Sequence, residues 1–205
     1  MQIEVLNHAS IKITSGKIYY FDPYKIDKKM SDADYIFITH DHYDHFDYSS
    51  IKNVINESTM LIVPACLEEK VKEITNNYTI VYPSCNYEIA TLHFDTVPSY
   101  NIGKSFHLKE MNYIGYIVNI KNNKVYVMGD TDVIDEIKDI SCDICFVPIG
   151  GTYTMNYKEA SNYINMINPK EVIPIHYGSV VGNKDLGLKF SELVNSNINV
   201  KVFIK

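Results

Sequence analysis

The chain contains no arginine: all nineteen of its basic residues are lysine. Nucleic-acid grooves rely on guanidinium groups for bidentate contacts to phosphate and guanine, so this absence argues against such a surface. The formal net charge of -6 points the same way, because backbone phosphates would be repelled at long range. No apolar run reaches the length of a membrane span. Met1-Gln2-Ile3-Glu4-Val5 offers no basic region, apolar helix or small-residue cleavage site, so no secretory signal is expected and a cytoplasmic protein is. Cysteine is scarce. Cys66, Cys85, Cys142 and Cys145 include one Cys-x-x-Cys pair, with no second pair to complete a zinc site. They read as small buried hydrophobes in a reducing compartment. No repeat, low-complexity tract or linker interrupts the 205 residues, 46% of them hydrophobic, so a single domain over 1–205 is expected.

Against this plain background one segment stands out. Thr39-His40-Asp41-His42-Tyr43-Asp44-His45 places three imidazoles and two carboxylates directly after the apolar run Tyr35-Ile36-Phe37-Ile38. A packed core has no use for such a cluster. Imidazole nitrogen and carboxylate oxygen are the ligands that first-row divalent cations accept, so a metal site accounts for it better than a solvated loop. Two further apolar runs end on ligand types beside glycine. Val125-Tyr126-Val127-Met128 leads into Gly129-Asp130-Thr131-Asp132, and Val172-Ile173-Pro174-Ile175 leads into His176-Tyr177-Gly178. Taken singly, Asp130 could be a turn aspartate and His176 a core histidine. Together with the first cluster they read as strand-end ligands, because αβ sheets bind ligands at the carboxyl ends of strands.

The order of elements follows from periodicity. Residues 3–6, 11–14 and 18–21 read as short strands of a β-meander. From Tyr35 onward, strand candidates at 35–38, 61–63 and 79–82 alternate with a helical pattern at 66–75. Strands follow at 91–97, 113–120 and 125–128. A helix over 157–167 stops before Asn168-Pro169, and a helix near 186–194 leads into a strand at 200–204. Residues 98–112 show no period, and a loop of that length is expected to serve the substrate. The pattern by itself gives an α/β (α+β) class.

The ordered motifs are similar to those of the metallo-β-lactamase superfamily, which is built on Thr-His-x-His-x-Asp-His, a later strand-end Asp and a final strand-end His. Within it the chain resembles the branch of L-ascorbate-6-phosphate lactonase and of the phospholipase D acting on N-acyl-phosphatidylethanolamines. His8-Ala9-Ser10, Phe21-Asp22-Pro23, His40 to His45, Gly129 to Asp132, Val147-Pro148-Ile149-Gly150-Gly151 and Ile175 to Gly178 carry that resemblance. It implies a four-layer αββα sandwich, the metallo-β-lactamase fold, with metals at one sheet edge. It also implies one site holding His40 and His42, another holding Asp44, His45 and His176, and Asp130 bridging them. One or two divalent transition metal ions are expected, zinc first, with manganese, iron or nickel as alternatives.

The chemistry implied is attack by a metal-held hydroxide on a small, anionic ester, lactone or phosphodiester, with Asp44 as the catalytic, water-orienting residue. A diiron oxidoreductase and a non-catalytic metal-binding protein are the other readings, and a homo-oligomer is left open. Asp22 stands between an outer-shell partner of a ligand histidine and a plain turn aspartate. His8 stands between a second-shell role and an ordinary hydrogen-bonded histidine. His93, in mid-strand, reads as structural. The superfamily places a further histidine in a mid-chain loop to complete the His40 and His42 site. This chain has Asn101 there, with His107 six residues on, so either could complete that site or meet substrate, and His107 could equally be a solvated loop residue. Tyr100, Tyr153 and Tyr177 adjoin these loops.

Overall fold

The computed structural model describes residues 1–204, which divide into two compact units, Met1–Tyr82 and Pro83–Lys205. The first unit opens with β1 (Gln2–Asn7), β2 (Ser10–Thr14) and β3 (Ile18–Phe21), an antiparallel meander as the alternating pattern predicts. β4 (Tyr35–Phe37), β5 (Met60–Pro64) and β6 (Tyr78–Val81) then add in parallel, giving a six-stranded sheet in the order β1-β2-β3-β4-β5-β6. Two helices complete the unit. α1 (Tyr48–Val54) was not signalled by periodicity, because its seven residues carry serine, asparagine and β-branched valine. It forms because the Asp47 carboxylate caps it, accepting from Ser49 N, and because Ile51 and Val54 pack with Ile36, Leu61 and Val63. The helical pattern at 66–75 is realised as a 3₁₀ turn at Ala65–Leu67 followed by α2 (Glu68–Lys72).

The second unit holds a seven-stranded sheet. β7 (Asn86–Ile89), β8 (Leu92–Pro98), β9 (Ile114–Ile120) and β10 (Asn123–Val127) run antiparallel to one another. β11 (Ile144–Pro148), β12 (Glu171–Ile175) and β13 (Asn199–Val200) continue in parallel from β10. β11 is buried along its whole length and β12 at every position after Glu171, as parallel strands covered on both faces must be. α3 (Tyr157–Ile167) has the boundaries its period predicts, held by a capping box in which Asn156 accepts from Glu159 N and Glu159 accepts from Asn156 N. α4 (Leu186–Ser191) and β13 are both shorter than their patterns suggest. The core of this unit gathers Tyr126, Met128, Val147, Ile164, Val172 and Phe190. Cysteine corrects one expectation. All four thiols are free, but only Cys145 is buried; Cys66 is exposed, and Cys85 and Cys142 are partly so.

Candidate metal centre

In the first unit the polar cluster grows from the carboxyl ends of two neighbouring parallel strands. Phe21 pairs with Phe37, so Asp22 emerges from β3 beside the segment leaving β4, and Asp22 N donates to Phe37 O. The Asp22 carboxylate then takes three donors. It accepts from Thr39 N at 2.8 Å, from Thr39 Oγ1 at 2.7 Å, and from His45 Nδ1 at 2.7 Å. Asp22 is therefore an anchor of the motif rather than a plain turn residue.

These bonds fix two histidine tautomers. A carboxylate can only accept, so the proton shared with His45 belongs to Nδ1, and the lone pair of that ring lies on Nε2. Thr39 has a single hydroxyl proton, and Asp22 receives it. At its 2.9 Å contact with His40 Nδ1 the hydroxyl must then accept, so His40 also presents Nε2 as a lone pair. This is the arrangement in which outer-shell groups prepare imidazoles for a metal. The motif closes on itself, because His45 N and Phe46 N both donate to His42 O, and Asp44 comes back beside His45. The His40 ring lies 4.0 Å from that of His45 and 4.7 Å from that of His42. His40, Asp44 and His45 are buried, whereas Tyr43 between them is 66% exposed. Asp41 points outward and pairs with Lys70 at 3.4 Å.

In the second unit three separate loops supply the cluster. Asp130 follows β10 and His176 follows β12, and the structure brings them together with His176 Nε2 2.9 Å from Asp130 Oδ2. Gly150 is required beside them, since a Cβ there would overlap the carbonyl oxygen of His176. Ser99 Oγ donates to Asp130 O, which ties the end of β8 to the Asp130 loop. His107 is buried, with Nε2 3.3 Å from the same Asp130 oxygen, so the solvated reading of that residue does not hold. Asn101 lies behind it. Its Nδ2 donates to Tyr153 O at 2.6 Å and to Phe106 O at 3.1 Å, and stands 3.2 Å from His107 Nδ1. With the nitrogen facing two carbonyls, the amide oxygen faces away, buried and without a hydrogen-bond partner. The 98–112 loop is thus partly internal, and Lys104 pins it further through Asp132 Oδ1 and Thr154 O.

The ligand spacing can be tested against a metal. Bonds of about 2.0–2.2 Å at tetrahedral angles place two ligand atoms on one ion roughly 3.3–3.6 Å apart. The His–Asp separations bracket that value: His8 Nε2 to Asp44 Oδ2 3.4 Å, His45 Nε2 to Asp44 Oδ2 3.8 Å, and the two Asp130 contacts already given. His8, Asp22, His107 and His176 have φ between 44° and 58°, a region costly for non-glycine residues, though turn residues such as Lys25, Ala90 and Asn168 share it.

Other candidates resolve differently. His93 faces solvent on β8, 3.8 Å from Glu88. Tyr177 is buried with its hydroxyl donating to Ile204 O, and burial pushes that hydroxyl up to about 12, so it is a structural residue. Tyr100 donates to Glu136 and accepts from Lys109 at the surface. Thr39 and Ser99 are the functional neighbours that periodicity did not single out. Thr39 had a signal, its fixed place before the first histidine.

Comparison with known proteins agrees with this picture. A family model described as "Beta-lactamase superfamily domain" matches residues 2–176. A UPF0173 metal-dependent hydrolase of Nanoarchaeum equitans is 30% identical over 190 residues, covering 87% of this chain and 85% of that protein. A UPF0173 protein of Pyrococcus abyssi is also 30% identical, over 194 residues, covering 92% and 89% respectively. Among solved structures, a candidate metal-dependent hydrolase from Parabacteroides distasonis superposes with a TM-score of 0.83 at 28% identity, covering 99% of this chain and 93% of that one. The mixed α/β architecture with two sheets is that of these metallo-β-lactamase-fold proteins.

Proposed function

From the premise that this chain belongs to the β-lactamase superfamily domain family, we propose that it is a metal-dependent hydrolase acting on a small ester, lactone or phosphodiester. The observation that carries the reading is the Asp22 and Thr39 network, which turns Nε2 of both His40 and His45 into metal-ready lone pairs. The ligand set we assign is His40, His42, Asp44 and His45 in the first unit and Asp130 and His176 in the second, for one or two divalent ions within a single catalytic domain. His107 is the seventh candidate. Asn101 acts through it, holding the ring from behind rather than offering its own oxygen first.

A divalent ion held by these residues would supply Lewis acidity, bringing the pKa of water to about 7 and polarising a carbonyl or phosphoryl oxygen. The protein residues do the rest. Asp44, buried and flanked by two imidazoles, accepts the proton of the attacking water and aims its lone pair. Asp22 holds His45 rigid while charge develops. Ile102 and Phe106, exposed on the 98–112 loop with the Phe106 ring edge-on to Tyr153, supply apolar contact to the substrate body. A small anionic substrate suits a cationic centre. No helix among the described residues is long and apolar enough to cross a membrane.

Zinc is the ion we assign first, with manganese, iron and nickel as alternatives that an N/O donor set also accepts. The test is metal analysis of protein purified without chelator, followed by assay of the reconstituted protein on chromogenic lactones, phosphodiesters and thioesters. Metal content near one or two equivalents and turnover of one class support the reading. Under a tenth of an equivalent after reconstitution refutes it, and full occupancy with no turnover would leave a binding protein instead.

A further inference from the structure

His8 and Ala9 form the two-residue loop of the β1–β2 hairpin, since Asn7 pairs with Ser10. Such loops lie at the surface, and their first position takes the positive φ that glycine, asparagine and aspartate tolerate best. Here that position is a histidine with φ 49°, and its side chain is buried, 1% exposed. A hairpin tip gains nothing from a strained, buried imidazole unless the imidazole itself is used. Its Nε2 stands 3.4 Å from Asp44 Oδ2, the oxygen that His45 Nε2 also approaches. The two rings lie 6.4 Å apart at 67°, so they face the carboxylate from different directions. The separation is longer than the roughly 2.7–2.9 Å of a charge-assisted hydrogen bond. It matches the edge of a coordination polyhedron instead.

Resting on the metal-dependent reading above, we propose that His8 is a further metal ligand, on the ion that Asp44 holds. The ligand set that the superfamily resemblance implies draws nothing from this hairpin. An imidazole and a carboxylate are donors that zinc, iron and manganese all accept, with positions left for other ligands and water.

The experiment uses the full chain as wild type, His8→Gly and His8→Asn. Glycine and asparagine both suit positive φ, so the hairpin should keep its backbone, and both metal-free variants should melt no lower than metal-free wild type. Affinity for Zn²⁺ is read by competition with a chromogenic chelator, and coordination by the visible absorption of the Co²⁺-loaded proteins. Removing His8 should weaken affinity by more than roughly 100-fold, beyond the 10–100-fold that loss of an outer-shell partner costs. It should also change the shape and intensity of the Co²⁺ bands, and millimolar imidazole should restore them in His8→Gly. Variants with weaker binding but the wild-type band envelope would make His8 a hydrogen-bonding partner of Asp44 and reject it as a ligand. Variants that bind like a metal-loaded wild type would remove His8 from the site altogether. A wild type that binds neither ion would overturn the metal-dependent reading, and this assignment with it.

Discussion

The two units build their polar clusters by opposite routes. In the first, His40, His42, Asp44 and His45 lie within six consecutive residues, and the backbone turn at His42 O folds them onto one another. In the second, His107, Asp130 and His176 come from three loops far apart in sequence, placed by the register of the β10-β11-β12 ladder and by side-chain ties such as Ser99 to Asp130 O. The local cluster needs one carboxylate, Asp22, to hold its shape. The dispersed one needs a sheet.

The largest effect that would sharpen this comparison concerns the two carboxylates nearest the imidazoles. Asp44→Ala and Asp130→Ala should each lower kcat/KM on the accepted substrate by about a thousandfold or more, with circular dichroism unchanged. Asp41→Ala is the internal control. Its side chain points away to Lys70, so activity should stay within about twofold. If either unit's carboxylate proves dispensable, one cluster suffices by itself and the six-residue ligand set we propose is wrong.

Next in size is the anchor. Asp22→Ala strips acceptors from Thr39 N, Thr39 Oγ1 and His45 Nδ1 at once, so metal affinity should fall roughly 10–100-fold and stability by about 2–4 kcal/mol. Chelator competition and urea unfolding read the two separately. Thr39→Val isolates one arm of the network. It keeps volume and backbone donor while removing the group that fixes the His40 tautomer, and should cost about 1–2 kcal/mol and less affinity than Asp22→Ala. Asn101→Ala is the counterpart in the second unit. It frees His107 and unties the loop from Tyr153 O, and about a tenfold loss of affinity is expected. A loss at Asn101 larger than at Asp22 would reverse the ranking of the two clusters.

The contrast also explains what was legible in the sequence. A contiguous motif can be read from composition alone, which is why His40 to His45 stood out. Asp130 and His176 were readable only as strand ends, and the step that joins them, parallel pairing of Val127 with Phe146 and of Pro148 with Ile175, is a property of the sheet. His107 was ambiguous because nothing in Ser105-Phe106-His107 distinguishes a buried ring from a solvated one; the Asn101 amide and Asp130 decide it. The strong periods gave α3 and β3 their ends. α1 and β7 escaped because α1 is built of poor helix formers and β7 is only four residues long: a cap and the packing of Ile51 and Val54 hold the first, and pairing with β8 holds the second. The short β13 pairs only Asn199 and Val200, although its apolar run continues.

The smallest expected effect tests whether the ladder transmits disturbance to the dispersed cluster. Asp143 sits at the end of the strands remote from Asp130 and His176. Its backbone N–H donates to Lys124 O, its carbonyl accepts from Glu171 N, and its carboxylate accepts from Lys124 N at 2.8 Å and pairs with Lys170 at 2.7 Å. Lys170, and then the Lys124 N–H, hold this carboxyl below the usual aspartate range. A group whose folded pKa is lowered adds stability above its unfolded pKa, and that stability is lost as pH falls through the folded value. Because Lys170 is well exposed, solvent screening leaves about 0.5 kcal/mol or less. Asp143→Asn keeps an acceptor for Lys124 N but loses the charge. It should lower Tm slightly at pH 7, and the gap to wild type should close on acidification below the aspartate range, with metal affinity unchanged throughout. A gap that persists in acid would show the effect is not the charge. A fall in metal affinity at pH 7 would show that register at one end of β10 and β11 controls ligand placement at the other, making the dispersed cluster more fragile than the contiguous one.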